Sequence, residues 1–401
     1  MEYESRMSSG CLRLVGRDGM PLADKTVKVD LKKHEFLFGC GAFEAMGRVE
    51  DTENAFLKER MKLWTDLYNY GTMAFYWGGF EPVEGKPQTE NRMKASKYLV
   101  EHGATVKGHP LCWHTACADW LMQYDNKTIL DKQLARINRE VSEFRGVIDM
   151  WDVINEVVIM PVYDRYDNAI TRICKQYGPV NLVKEVFEAA KAANPNAVLL
   201  INDFNLSDKY AQLIDKCLDA GAPIGAIGLQ THQHQGFMGT EKLGEILKRF
   251  EVFGLPLHFT ENTLVSGHIM PADIVDLNDY QIPEWPTTPE GEARQAKEIE
   301  QMYSFLFAHP LVEAITGWDF GDGAWLGAPS GVVRKDNTVK PSYETLMRLT
   351  KKEWTTHLTL KTDENGFADF KGYRGLYTVT ADNRTAEFTL KRSDGDITVT
   401  L

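Results

Sequence analysis

Short apolar runs recur through the middle of this 401-residue chain, each followed by a longer amphipathic stretch. The runs are "FLFG" from Phe36, "TMAFY" from Thr72, "TVKGHPLCW" from Thr105, "VIDMWDVIN" from Val147, "VLLINDF" from Val198, "AIGLQTH" from Ala226, "PLHFTEN" from Pro256 and "AITGWDF" from Ala314, eight in all. Such alternation is the βαβα pattern of a parallel sheet. Val147, Ile148, Met150, Trp151, Val153 and Ile154 read as a strand buried on both faces, as parallel strands are. Between the runs, "DTENAFLKERMKLW", "NRMKASKYLVEHG" and "DKYAQLIDKCLDAG" read as helices, several closing at a glycine suited to a helix C-terminus. Eight strand-helix units over roughly 320 residues point to a (β/α)8 TIM barrel rather than an open doubly wound sheet. No GxGxxG or GxxxxGK[ST] follows an early strand, which counts against a nucleotide site.

The two ends of the chain follow a different period. "CLRLVGRDGMPLADKTVKVDL" near the N-terminus and the stretch from His357 to Leu401 alternate apolar and polar residues between turn signals at Asp18-Gly19, Asn365-Gly366 and Asp394-Gly395. These are antiparallel strands, and neither set holds enough core to stand alone. The expected division is therefore 1–33 as N-terminal strands, 34–354 as the catalytic barrel, and 355–401 as strands completing one small all-β sandwich.

A formal net charge of −12 argues against nucleic acid or an anionic membrane surface as partner, since both need a basic face. No apolar stretch approaches the roughly 20 residues of a membrane span, and the opening "MEYESRMSSG" lacks the regions of a signal peptide. The compartment stays open: secreted or periplasmic if an export signal has been removed, cytoplasmic otherwise. Cys11, Cys40, Cys112, Cys117, Cys174 and Cys217 show neither CxxC pairs nor zinc spacing, and read as mostly free thiols rather than a disulfide framework. No cofactor and no metal are expected, and the protein is expected to be a monomer.

Active sites of such barrels lie at the C-terminal ends of the strands, so the residues ending each run form one group. They are His109, Trp113 and His114; Asn155 and Glu156; Asn202 and Asp203; Gln230, His232 and His234; Thr260, Glu261 and Asn262; and Trp318, with Asp322 and Trp325 beyond. Glu156 and Glu261 then face one mouth lined by Trp, His, Asn and Gln. Two carboxylates in such a setting suit glycoside hydrolysis, one protonating the leaving oxygen while the other stabilises or attacks an oxocarbenium-like centre. Indole faces stack on sugar rings, and amides and imidazoles bond their hydroxyls.

"GHPLCWH" (108–114), "WDVINE" (151–156), "GLQTHQH" (228–234), "HFTEN" (258–262) and the spacing from Trp325 to "KPSY" (340–343) together resemble the family 10 glycoside hydrolases, mostly endo-β-1,4-xylanases on a TIM barrel. The resemblance spans roughly residues 34–354. It implies a retaining mechanism with Glu156 as general acid/base and Glu261 as nucleophile, carboxyl groups about 5 to 5.5 Å apart, and environments that push the two pKa values apart. It further implies that Asn155 bonds the sugar 2-hydroxyl and His232 tunes Glu261, while His109, Gln230, Trp318 and Trp325 line the same subsite. Trp113, Tyr76 and Trp77 complete the expected substrate-binding set, and the expected substrate is xylan or a related oligosaccharide.

Three departures bear on specificity. Thr72, Met73 and Tyr76 stand where the family carries Glu, Asn and Lys, making the neighbouring sugar site more apolar. Thr263 replaces an Asp that supports the histidine beside the nucleophile, which should shift the pH optimum by disfavouring imidazolium at His232. The segment 264–292 is long enough to wall the cleft or to be surface decoration. Alternatives left open are a related retaining β-glycosidase or transglycosylase, a carbohydrate-binding protein on a decayed barrel, and a metal-dependent hydrolase, for which His109 and His114 lack a third ligand.

Overall fold

A computed structural model describes residues 3–392 and 395–401. Strands β1 (Met7–Val15) and β2 (Thr26–His34) precede eight strands with helices between them: β3 (Leu37–Gly41), β4 (Tyr70–Ala74), β5 (Thr105–His109), β6 (Met150–Asn155), β7 (Val198–Asp203), β8 (Ala226–Gln233), β9 (Leu257–Leu264) and β10 (Val312–Gly317). These eight close into a barrel of parallel strands in sequence order, β10 pairing with β3. Each coincides with one of the eight apolar runs. The expected helices form at Ala55–Leu67, Thr89–Glu101 and Asp208–Asp219. The first is capped by the Asn54 side chain, which accepts from Leu57 N, and the third by Ser207. The second and third are followed by Gly103 and Gly221 at φ +88° and +83°, a left-handed conformation that closes a helix at little cost for glycine.

Side chains along barrel strands alternate between the interior and the helix-covered outside. Tyr70, Met150, Leu200, Ala226 and Ala314 plug the interior. Val106, Trp151, Val153, Ile154, Ile201 and Phe259 face outward into the main core beneath the helices. In β6 the register slips between Asp152 and Ile154, so two consecutive residues, Val153 and Ile154, both point outward. That bulge brings Asp152 and Asn155, three positions apart, onto the same interior side.

Five further strands, β11 (His357–Lys361), β12 (Phe367–Tyr373), β13 (Gly375–Ala381), β14 (Arg384–Leu390) and β15 (Asp396–Thr400), join β1 and β2 in two sheets of order β12-β1-β15 and β11-β2-β13-β14. Leu12, Leu14, Val27, Val29, Tyr377 and Phe388 belong to the core between them. The termini thus interleave in one sandwich. Within it, β15 runs parallel to β1, an exception to the antiparallel expectation. Gly19 and Gly366 occupy the expected turns at positive φ, while Asp394 of the third turn signal lies outside the described residues. Arg6 ties sandwich to barrel, its Nε donating to Phe307 O at 2.6 Å. Among the described residues no helix is long and apolar enough to cross a membrane, and the six cysteines are free.

Candidate active site

Glu156 follows the last residue of β6, and Glu261 lies within β9. Both have left-handed backbones, φ +57° and +58°. A residue with a Cβ pays on the order of 1–2 kcal/mol for that conformation, and here it turns each side chain out of the strand repeat. At Glu261 the cause is visible in the register: Gln230 pairs with Thr260 but His232 pairs with Thr263, so β9 carries one extra residue.

A chain of amides links the two carboxylates. Asn202 Nδ2 donates to Asn155 Oδ1 and to Glu261 Oε1, both at 2.8 Å. Gln230 Nε2 donates to Asn155 Oδ1 at 3.0 Å and makes a long contact of 3.5 Å to Glu156 Oε1. Thr260 Oγ1 donates to Asn202 Oδ1 at 2.7 Å, fixing which end of that amide faces Glu261. Gly228 makes room for the arrangement: a Cβ there would stand 2.3 Å from Asn202 Oδ1.

The remaining partners differ in charge. Glu156 Oε2 accepts from Trp113 Nε1 at 2.9 Å, a neutral donor. Burial first, and the charge of Glu261 second, push Glu156 up to about 8. Glu261 meets His232 Nε2 at 3.2 Å on Oε2 and His109 Nε2 at 3.9 Å on Oε1. Burial raises it, but His109, His232 and Lys107 outweigh that and hold it below the ordinary carboxylate range. His109 is in turn held through Nδ1 by Asp152 Oδ2 at 2.7 Å, and the same oxygen takes Lys107 Nζ at 2.6 Å. Lys107 and Asp152 are fully buried in the barrel interior, and each neutralises the other.

Most of the expected aromatic lining converges on this pair. The Tyr76 ring lies 5.8 Å from His109 and 5.5 Å from Trp113, centre to centre. Burial and then the charges of Glu261 and Glu156 keep its phenol neutral. Trp318 is 5.4 Å from His109, and Trp325 is 4.5 Å from His232. Phe43, which the strand-end reading missed, packs edge-on to Trp318 at 5.1 Å. Among the described residues no group of three or more His, Cys, Asp or Glu side chains is arranged to hold a metal ion.

Three expectations change. Trp77 is buried with its Nε1 on Glu81 and its ring 4.8 Å from Arg136, packing into the wall rather than joining the carboxylate pair. Met73 is fully buried in the outward-facing core, so its replacement of a polar residue does not by itself make the cleft surface apolar. The Thr263 hydroxyl hydrogen-bonds His234 Nδ1 at 3.1 Å rather than the ring of its strand partner His232, whose Nδ1 has no hydrogen-bond partner among the described residues. Asn202, Asp152, Lys107 and Thr260 act in the site although only the strand-end position of Asn202 and Thr260 signalled it. A charged residue inside an apolar run, as Asp152 is, was the other available signal, since buried charge needs a partner.

The profile of Glycosyl hydrolase family 10 matches residues 45–349, three quarters of the chain. The chain belongs to that family. Among relatives of this family 10 protein, endo-1,4-beta-xylanase 2 of Arabidopsis thaliana is 24% identical over 390 residues, covering 93% of the chain and 32% of that protein. Anti-sigma-I factor RsgI6 of Acetivibrio thermocellus is 24% identical over 388 residues, covering 94% of the chain and 45% of that protein. The chain therefore spans less than half the length of these curated relatives. The structure of a family 10 protein from Paenibacillus barcinonensis superposes with a TM-score of 0.65 at 22% identity, covering 79% of this chain and 96% of the other. That likeness extends to the fold.

Proposed function

We propose that the protein is a retaining endo-β-1,4-xylanase, with Glu156 as general acid/base and Glu261 as nucleophile. The observation that carries this reading is a pair of buried carboxyls joined through Asn155, Asn202 and Gln230, Glu156 against the neutral Trp113 donor and Glu261 against His232 and His109; these surroundings push Glu156 above and hold Glu261 below the ordinary carboxylate range. In the first step a Glu261 oxygen bonds the anomeric carbon while the bond from that carbon to the glycosidic oxygen breaks, and that oxygen takes the Glu156 proton. In the second, water attacks the anomeric carbon, gives a proton to Glu156 and releases Glu261. Retention calls for carboxyls about 5 to 5.5 Å apart. Asn155 bonds the 2-hydroxyl in this reading, and Trp318, Trp325, Trp113 and Tyr76 supply the faces against which xylose rings pack. We also propose 34–354 as the catalytic unit, flanked by 1–33 and 355–401.

A second reading, a related retaining β-glycosidase or transglycosylase, is favoured by Tyr76, whose neutral phenol stands where the family carries a lysine. Product analysis over time on glucuronoxylan and arabinoxylan, comparing the unmodified protein with Glu261→Ala, separates these. Xylo-oligosaccharides are expected from the unmodified protein, and the variant should lose on the order of 10⁴-fold or more in rate. No release from either xylan by the unmodified protein refutes the xylanase reading and moves the substrate to another β-glycoside.

A further inference from the structure

The loops that follow the two carboxylates are tied together above the barrel mouth. Residues 157–168 leave the C-terminal end of β6 just past Glu156, and residues 265–288 leave β9 shortly after Glu261. The second segment is a folded lobe with its own small core, in which Val265, Met270 and Trp285 bury against Ala328. Two strands, β7 and β8, separate β6 from β9 in the barrel. The lobe crosses that interval. Gln235, just beyond β8, donates through Nε2 to the carbonyls of Pro271 at 2.9 Å and Ile274 at 2.8 Å. Farther on, Arg165 of the β6 loop forks onto Asp279 with two bonds of 2.9 Å and lies 3.0 Å from Asp276. The Asp276 side chain caps the single turn Leu277–Asp279, so one short turn presents both carboxylates to the guanidinium.

The junction is held by partly exposed charges. Arg165, Asp276 and Asp279 keep 47%, 33% and 56% of their exposure, and ion pairs that wet are weak and screened by salt. Leu277 and Tyr280 of the turn pack into the lobe's own core, while Val162, Tyr166 and Val275, on the two joined segments, remain exposed. Tyr166 packs edge-on to Tyr163 at 5.1 Å and leaves its other face to solvent.

We propose that Arg165, Asp276 and Asp279 form a latch bounding the substrate cleft on the β7–β8 side, so that the protein discriminates substrates by chain length. Short glycosides reach Glu156 and Glu261 with the latch closed. A polysaccharide chain running past that side must break it, and Val162, Tyr166 and Val275 then contact the chain. This inference rests on the β-glycoside hydrolase reading.

The test compares kcat/KM on polymeric xylan and on an aryl β-xylobioside, at low and high salt, for the unmodified protein, Arg165→Ala, and the charge exchange Arg165→Asp with Asp279→Arg. Arg165→Ala should raise the polymer value about fivefold and change the short substrate by less than about twofold, the size expected from losing an exposed bidentate pair. Salt should raise the polymer value of the unmodified protein but not of Arg165→Ala, and the charge exchange should restore discrimination. A polymer value that stays unchanged, or changes on both substrates alike, overturns the latch alone. Failure of the unmodified protein to cleave either substrate overturns the hydrolase reading, and the latch with it.

Discussion

The proton on Glu156 should set the alkaline limit of activity. Its carboxyl is held up to about 8 by burial first and by the Glu261 charge second, while His109 and His232 keep Glu261 ionised. The productive state of the free protein has Glu156 protonated and Glu261 charged, and kcat/KM reports free-enzyme ionisations. With a midpoint near 8, the protonated fraction is about 0.91 at pH 7 and about 0.09 at pH 9, so kcat/KM should fall roughly tenfold across that interval. The acid limb should lie below the ordinary glutamate value, where Glu261 takes up a proton. Trp113→Phe removes the N–H that donates to the Glu156 carboxylate at 2.9 Å. That bond favours the charged form, so its loss should move the alkaline limb to higher pH. The assay is kcat/KM from about pH 4 to 10 on an aryl xyloside with a poor leaving group, which needs the proton. A profile flat through pH 9, or a Trp113→Phe limb displaced downward, would refute the assignment of that limb to Glu156.

Two further substitutions probe the scaffold behind the carboxylates. Gly228→Ala places a Cβ 2.3 Å from Asn202 Oδ1 and should push that amide off Asn155 and Glu261; kcat should drop about 100-fold, as for other misplacements near 1 Å, while the protein remains folded by circular dichroism. Lys107→Met leaves Asp152 charged, buried and deprived of its ion-pair partner. Urea denaturation should register a loss of about 3–5 kcal/mol, and an unchanged midpoint would show that the pair does not stabilise the barrel.

Much of the site could be read before any coordinates because a barrel converts one-dimensional order into a ring: whatever ends each apolar run arrives at the same mouth. Glu156, Glu261, Asn155, Gln230, His109 and His232 followed from that rule. Trp77 came from the family resemblance rather than that rule; it sits in a helical turn just past β4, where a residue's facing depends on how the turn lies on the wall. The rule was silent on Lys107 and Asp152, because pairing inside the barrel depends on register between strands far apart in the chain. Thr263 misled for a related reason: the extra residue in β9 turns its hydroxyl toward His234, a shift that the linear spacing does not contain.

The sequence by itself determined the closed eight-stranded barrel, the sandwich of the two termini, and the presence of two carboxylates at strand ends. Those follow from apolar period and turn chemistry, which are local and survive without knowledge of neighbours. Tertiary structure supplied the reason one carboxyl keeps its proton: burial and the Glu261 charge raise Glu156, while His109, His232 and Lys107 hold Glu261 down. It also decided that the stretch after Glu261 folds as a lobe reaching Arg165, since Asp276 and Asp279 meet that guanidinium more than 100 residues away in sequence. Electrostatics and latch geometry act through space between groups the chain does not place together, and their outcome exists only once the barrel has closed.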